Sequence, residues 1–179
     1  MSPRLLSLAL LLLLSLPAIA QQLKNELAVS VGRSQYDQLD DGTALGISYN
    51  RFWTESVSTR IGAFAAGEAE EANAGIGDDD VVGAYYATAE YHFLRGGRVS
   101  PFAGVGFALA FASIERLNAR SANDTGFAPI VLAGIDIQLT QRFAIGADVS
   151  YFQFDADLED QGSAALDPTT VLVSAKYRY

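Results

Sequence analysis

Glu26, Arg60, Glu90, His92, Asp136, Asp148, Lys176 and Arg178 are the side chains of this chain that could do chemistry together. Each lies in a stretch where apolar and small residues alternate, and each falls on the small-residue side. Charges of both signs on one set of faces have two uses. They can pair, because an isolated charge away from water is costly unless it is compensated. Alternatively, a histidine among them can act as a general base or a ligand. His92 is the only histidine, and no serine stands close to it in sequence. A nucleophilic relay would have to borrow its serine from another strand, so catalysis is the weaker reading. The pairing reading expects Arg60, Lys176 and Arg178 to be matched by Glu90, Asp136 and Asp148, with the partners left open. Such a ladder would plug the space it occupies.

Two other motifs carry less. Glu68, Glu70, Glu71 and Asp78-Asp79-Asp80 form an acidic stretch, joined further on by Asp124, Asp155, Asp157, Glu159 and Asp160. Carboxylates can hold a divalent cation, but the spacing of a calcium loop is absent and a solvated acidic rim is the simpler reading. Gly104 and Gly106 make a G-x-G inside a strand pattern with no helix after it, which suits close packing rather than phosphate binding. No metal or cofactor is expected.

The elements that must position these groups are strands. Period-2 alternation runs through eight segments, at about 24–35, 42–53, 55–66, 81–94, 100–114, 127–140, 142–154 and 170–179. The fifth is the clearest: Ala103, Val105, Phe107, Leu109 and Phe111 alternate with Gly104, Gly106, Ala108 and Ala110. Connectors alternate between short (Trp53–Ser56, Leu94–Ser100, Thr140–Arg142) and long (Gln35–Asp41, Gly67–Asp80, Glu115–Gly126, Asp155–Pro168). Short turns at one end and long loops at the other are the asymmetry of outer-membrane barrels. The fold expected is all-β: an eight-stranded antiparallel up-and-down transmembrane β-barrel. The alternative is a soluble barrel, which needs long polar side chains outside. Here the non-apolar face is mostly Gly, Ala, Ser and Thr, which fit the cramped interior of eight strands. Val, Ile, Leu, Phe and Tyr then face lipid. Phe52, Trp53, Phe93, Phe143, Tyr177 and Tyr179 are expected in one interfacial girdle, and Tyr36, Tyr85, Phe127, Tyr151 and Phe154 in the other.

The two ends fit export. Arg4, an apolar run from Leu5 to Leu16, then Pro17 and Ala18-Ile19-Ala20 read as a cleaved signal peptide over 1–20, leaving a barrel domain over 21–179. The chain closes on alternating Val171, Val173, Ala175, Tyr177 and Tyr179. Tyr177 and Tyr179 are expected to form the C-terminal signal for barrel insertion. Without the leader's single base the 12 Lys and Arg fall to 11 against 21 acids, a net charge of −10. That excludes a nucleic-acid binder working by phosphate neutralisation. The absence of cysteine removes disulfides and a lipoprotein anchor.

The stretch from Ala89 to Phe107, a strand ending Tyr91-His92-Phe93, a turn with Gly96-Gly97, then Pro101-Phe102-Ala103-Gly104-Val105-Gly106, resembles the small outer-membrane barrels of the OmpW-like and OmpX-like families. Gly134–Phe143, Asp167-Pro168 and the Tyr177-Arg178-Tyr179 ending are similar to theirs too. The N-terminal half departs from the OmpW pattern. The OmpW resemblance implies a porin-like narrow conduit for small solutes, hydrophobic ones among them. The OmpX resemblance implies a plugged structural or surface-interaction barrel whose loops serve adhesion or envelope integrity. The conduit is the first expectation and the plugged barrel the alternative. The expected setting is the bacterial outer membrane with both termini periplasmic. The expected partners are lipid, lipopolysaccharide and the barrel insertion machinery. The expected state is a monomer, and no enzymatic activity is expected.

Overall fold

The computed structural model describes residues 25–36, 41–67, 81–94, 98–114, 122–158, 162–165 and 167–179. The leader expected over 1–20 and the acidic run from Glu68 to Asp80 lie outside the described residues. The strands are β1 (Asn25–Gln35), β2 (Gly42–Phe52), β3 (Val57–Gly67), β4 (Val81–His92), β5 (Val99–Ile114), β6 (Ala122–Gln138), β7 (Phe143–Phe152), β8 (Asp155–Leu158), β9 (Gly162–Ala165) and β10 (Thr169–Arg178). Eight of them close into one barrel in the order β1-β10-β7-β6-β5-β4-β3-β2, and β8-β9 form a separate small hairpin. Every pairing is antiparallel; β1 to β7 pair in chain order, and β7 pairs with β10 across the β8–β9 excursion. The first and last barrel strands seal it from Glu26↔Arg178 to Gln35↔Thr169. Asn25 and Tyr179 also exchange two backbone hydrogen bonds of 2.9 Å.

The stagger of the barrel follows from the register. The row of partners leaving Asn25 runs through Arg51, Thr59, Ala89, Val105, Val131, Tyr151 and Thr169 and returns at Gln35, ten residues along the starting strand. A stagger of that size over eight strands tilts each by about 40°. Each residue then gains about 2.5 Å of height, and each step around the ring climbs about 3 Å.

Alternation sorts the side chains as lipid requires. Leu27, Val29, Val31, Leu45, Ile47 and Ile61 are among the large apolar residues exposed on the outside. Their neighbours along each strand are buried within. Where the ring is closed each strand is paired on both sides, so the backbone there is satisfied without water. Three aromatic residues depart from expectation. Phe52 and Phe154 do not join the girdles: they are buried inside, and half-buried Tyr36 packs against the inner apolar clusters. Phe52 has the inward parity of Asn50, and alternation overrules its position near a strand end. β6 also begins earlier than its alternation suggests. Ala122–Gly126 lacks large apolar residues but is carried by pairing with Ala110–Ile114 of β5.

Candidate functional site

The interior is divided by height. Among the described residues, the half nearer the chain ends holds all the buried charges, and the other half holds alanines and large apolar side chains. Inward parity on strands of known tilt places Arg178, His92, Glu26 and Asp136 lowest, then Lys176, Glu90, Arg60 and Asp148.

Two ion-pair groups fill the charged half. In the first, Arg60 Nε lies 2.7 Å from Glu90 Oε1, and its Nη1 lies 3.5 Å from Asp148 Oδ1. Glu90 is the hub. Its Oε2 accepts from Arg60 Nη2 at 3.3 Å and from Asn50 Nδ2 at 3.1 Å, with Ser58 Oγ at 3.4 Å; Thr88 Oγ1 donates to Oε1 at 3.4 Å. In the second group, Arg178 Nε donates to Glu26 Oε2 at 2.6 Å, and Lys176 Nζ lies 2.7 Å from Asp136 Oδ1. Longer contacts cross-link them: Lys176 to Glu26 at 3.7 Å and Arg178 Nη2 to Asp136 Oδ2 at 3.5 Å. Arg178 Nη1 also donates to Gln138 Oε1.

Two phenylalanines bind the groups into a layer. The Phe102 ring lies 5.0 Å from the Arg60 guanidinium, 5.0 Å from Lys176 Nζ and 5.2 Å from the stacked ring of His92. Phe52 lies 5.7 Å from the Arg178 guanidinium and 4.9 Å from His92. A cation over a ring face, away from water, is held more firmly than at a surface. Every barrel strand supplies a member: Glu26, Phe52, Arg60, Glu90, Phe102, Asp136, Asp148 and Lys176 lie on successive strands of the chain. Phe52 and His92 are 0 % exposed, Phe102, Lys176 and Glu90 2 %, and Arg60 3 %. Glycines leave room for it. A Cβ on Gly146 would stand 2.5 Å from Lys176 Cε and 2.7 Å from Asp136 Oδ1.

His92 sits beside a serine after all, brought from β3. Ser58 Oγ is 3.0 Å from His92 Nε2. Glu90 Oε2 approaches that same nitrogen at 3.3 Å, while Nδ1 has no hydrogen-bond partner among the described residues. A serine–histidine–acid relay needs the acid on the nitrogen opposite the serine.

Above this layer Phe64, Val82, Ile130, Phe152 and Phe154 pack with five buried alanines, and Leu172 packs with Ala44 and Ala66. Phe64 and Phe152 meet edge to face at 6.0 Å. Ser34 and Thr170, hydrogen-bonded at 2.7 Å, and Ser150 are polar insertions here. Tyr177 and Tyr179 stand outside, stacked at 6.2 Å, with Phe143 5.2 Å from Tyr177. Sequence parity missed Asn50, Ser58, Phe52 and Phe102 as members of the layer, although their inward positions were readable from the same alternation.

A closed eight-stranded barrel, apolar outside and polar in half of its interior, defines a small transmembrane β-barrel. The chain belongs to the outer membrane protein beta-barrel domain family, whose model matches residues 6–179. Its place is therefore the bacterial outer membrane. Neisserial surface protein A is similar in structure, with a TM-score of 0.62 at 16% identity over 87% of this chain and 95% of that one. Ail, the attachment invasion locus protein of Yersinia pestis, superposes with a TM-score of 0.61 at 16% identity over 89% and 100%. OprG of Pseudomonas aeruginosa gives 0.57 at 12% identity over 88% and 93%. At these identities the likeness is one of fold. No curated protein sequence matches the chain.

Proposed function

We propose that this protein is a plugged barrel: a closed, non-enzymatic outer-membrane body whose work is done at its loop end, in surface contact or envelope integrity. The observation that carries the reading is the charge-and-aromatic layer. Its side chains come from all eight barrel strands and are almost wholly shielded from water, whereas an aqueous conduit would wet its lining. Ion pairs in this layer hold one another in place, so opening a path means breaking contacts between buried partners; loss of one partner of such a pair costs about 3–5 kcal/mol. Catalysis is disfavoured by the same geometry, because Ser58 and Glu90 compete for one nitrogen of His92.

In this reading both chain ends lie on the periplasmic side, where the short turns are, and the opposite end of the barrel faces outward. The barrel acts as a monomer among lipid and lipopolysaccharide. Tyr177 and Tyr179, outward-facing at the sealing strand, serve recognition by the insertion machinery. The porin-like conduit for small solutes is the competing function. Solute entry into proteoliposomes separates the two. The plugged barrel predicts that vesicles holding the refolded protein admit sugars, amino acids and small apolar solutes no faster than empty vesicles. Size-dependent uptake of any of these classes would favour the conduit.

A further inference from the structure

The outer surface is lopsided near the loop end. On β1 the apolar face stops at Arg33, and on β2 it stops at Thr43; both are exposed. The barrel order puts β5 opposite β1 and β6 opposite β2. At the same height on those walls, within about 3 Å by the tilt and rise of the strands, stand Leu109 and Phe127. Phe111 lies higher again on β5, in ring contact with Tyr85 at 5.7 Å. Phe127 is 83 % exposed and Phe107 70 %. The apolar band therefore ends about 8 Å higher on the β5–β6 wall than on the β1–β2 wall.

The backbone of that wall also discourages strand addition. β6 pairs with β7 only from Ile130↔Phe152 downward, so Ala122–Pro129 has an edge outside that ladder. Gln138 N–H donates across to β5, so even-numbered residues of β6 face β5 and odd-numbered ones face the β7 side. Of the four odd positions there, Asn123, Thr125, Phe127 and Pro129, two offer no free N–H: Pro129 has none, and that of Thr125 is taken by Asp124 Oδ1 at 2.7 Å. An edge with half of its donors removed is a poorer template for a partner strand.

We infer that the outer face of the β5–β6 hairpin, with Leu109, Phe111 and Phe127, is seated among lipid acyl chains, and that the barrel stands tilted in the membrane with this wall sunk and the Arg33–Thr43 wall raised. The face continues the lipid-contacting band without a polar break, which names lipid rather than protein as its occupant.

Tryptophan depth measurements test this on the full-length barrel. In a W53F background, which removes the only native tryptophan, F127W and T43W place one probe on each wall. Both are reconstituted in phosphatidylcholine bilayers carrying bromine at defined acyl positions. The inference predicts blue-shifted F127W emission, quenched several-fold more by brominated lipid than that of T43W, with the reverse order for aqueous acrylamide. Equal quenching of the two probes by lipid would overturn the tilt. F127W quenched mainly by acrylamide would overturn the lipid contact. Shielding of F127W that appears only at high protein density, with energy transfer between copies, would replace lipid with a second copy. F111W reads the same wall should F127W fail to refold.

Discussion

The two halves of the barrel interior solve one problem in opposite ways. Near the chain ends the lumen is filled by Arg60, Glu90, Asp136, Lys176 and Arg178, and the aromatic rings of Phe52 and Phe102 are set among the charges. Toward the loops it is filled by Phe64, Ile130, Phe152 and alanines. Both halves are shielded from water. The charged half is directional: each group is tolerated because a particular partner neutralises it. The apolar half is additive: each side chain contributes by volume and area, and neighbours can adjust. Specificity of register and closure therefore resides in the first, and adaptable packing in the second.

Breaking a single partner should expose the difference most strongly. Arg60→Ala leaves Glu90 and Asp148 buried without their cation and should cost about 3–5 kcal/mol in reversible urea unfolding from lipid. Replacing Arg60 and Glu90 together by Met and Gln should recover much of that loss; equal losses for the single and the double variant would mean that the pair is not coupled. Crowding the same layer comes next. Gly146→Ala pushes a methyl group against Lys176 and Asp136 and should cost about 1–3 kcal/mol, read by the same unfolding curve. The apolar half should answer least. Ile130→Val removes one buried methylene and should cost about 0.5–1.5 kcal/mol. A larger loss at Ile130 than at Arg60 would reverse the comparison.

How much of this was readable in the sequence differs between the halves and the rim. Alternation gave the inward parity of every charge, because in a strand a residue's face depends only on its position in the period. Strand ends came within a few residues, except where pairing rather than alternation sustains a strand, as at Ala122–Gly126. The β8–β9 hairpin, Asp155–Leu158 with Gly162–Ala165, is not legible as strand because four residues a side are too short a run to set an alternation apart from an acidic loop. Which charge meets which was not legible. Arg60 reaches Asp148 across the lumen, and that depends on the ten-residue stagger, which emerges only when the ring closes. Phe52 shows the opposite failure. Its parity pointed inward, but its place beside Trp53 at a strand end suggested a girdle.

The central claim is that the charge-and-aromatic layer closes the lumen, and single-channel recording in planar bilayers tests it most directly. Wild-type protein, refolded and inserted, should give no discrete openings. The variant F52A/F102A, which removes both rings while leaving the ion pairs, should conduct. Reproducible openings from the wild-type barrel, of the same size as those from the variant, would contradict the account.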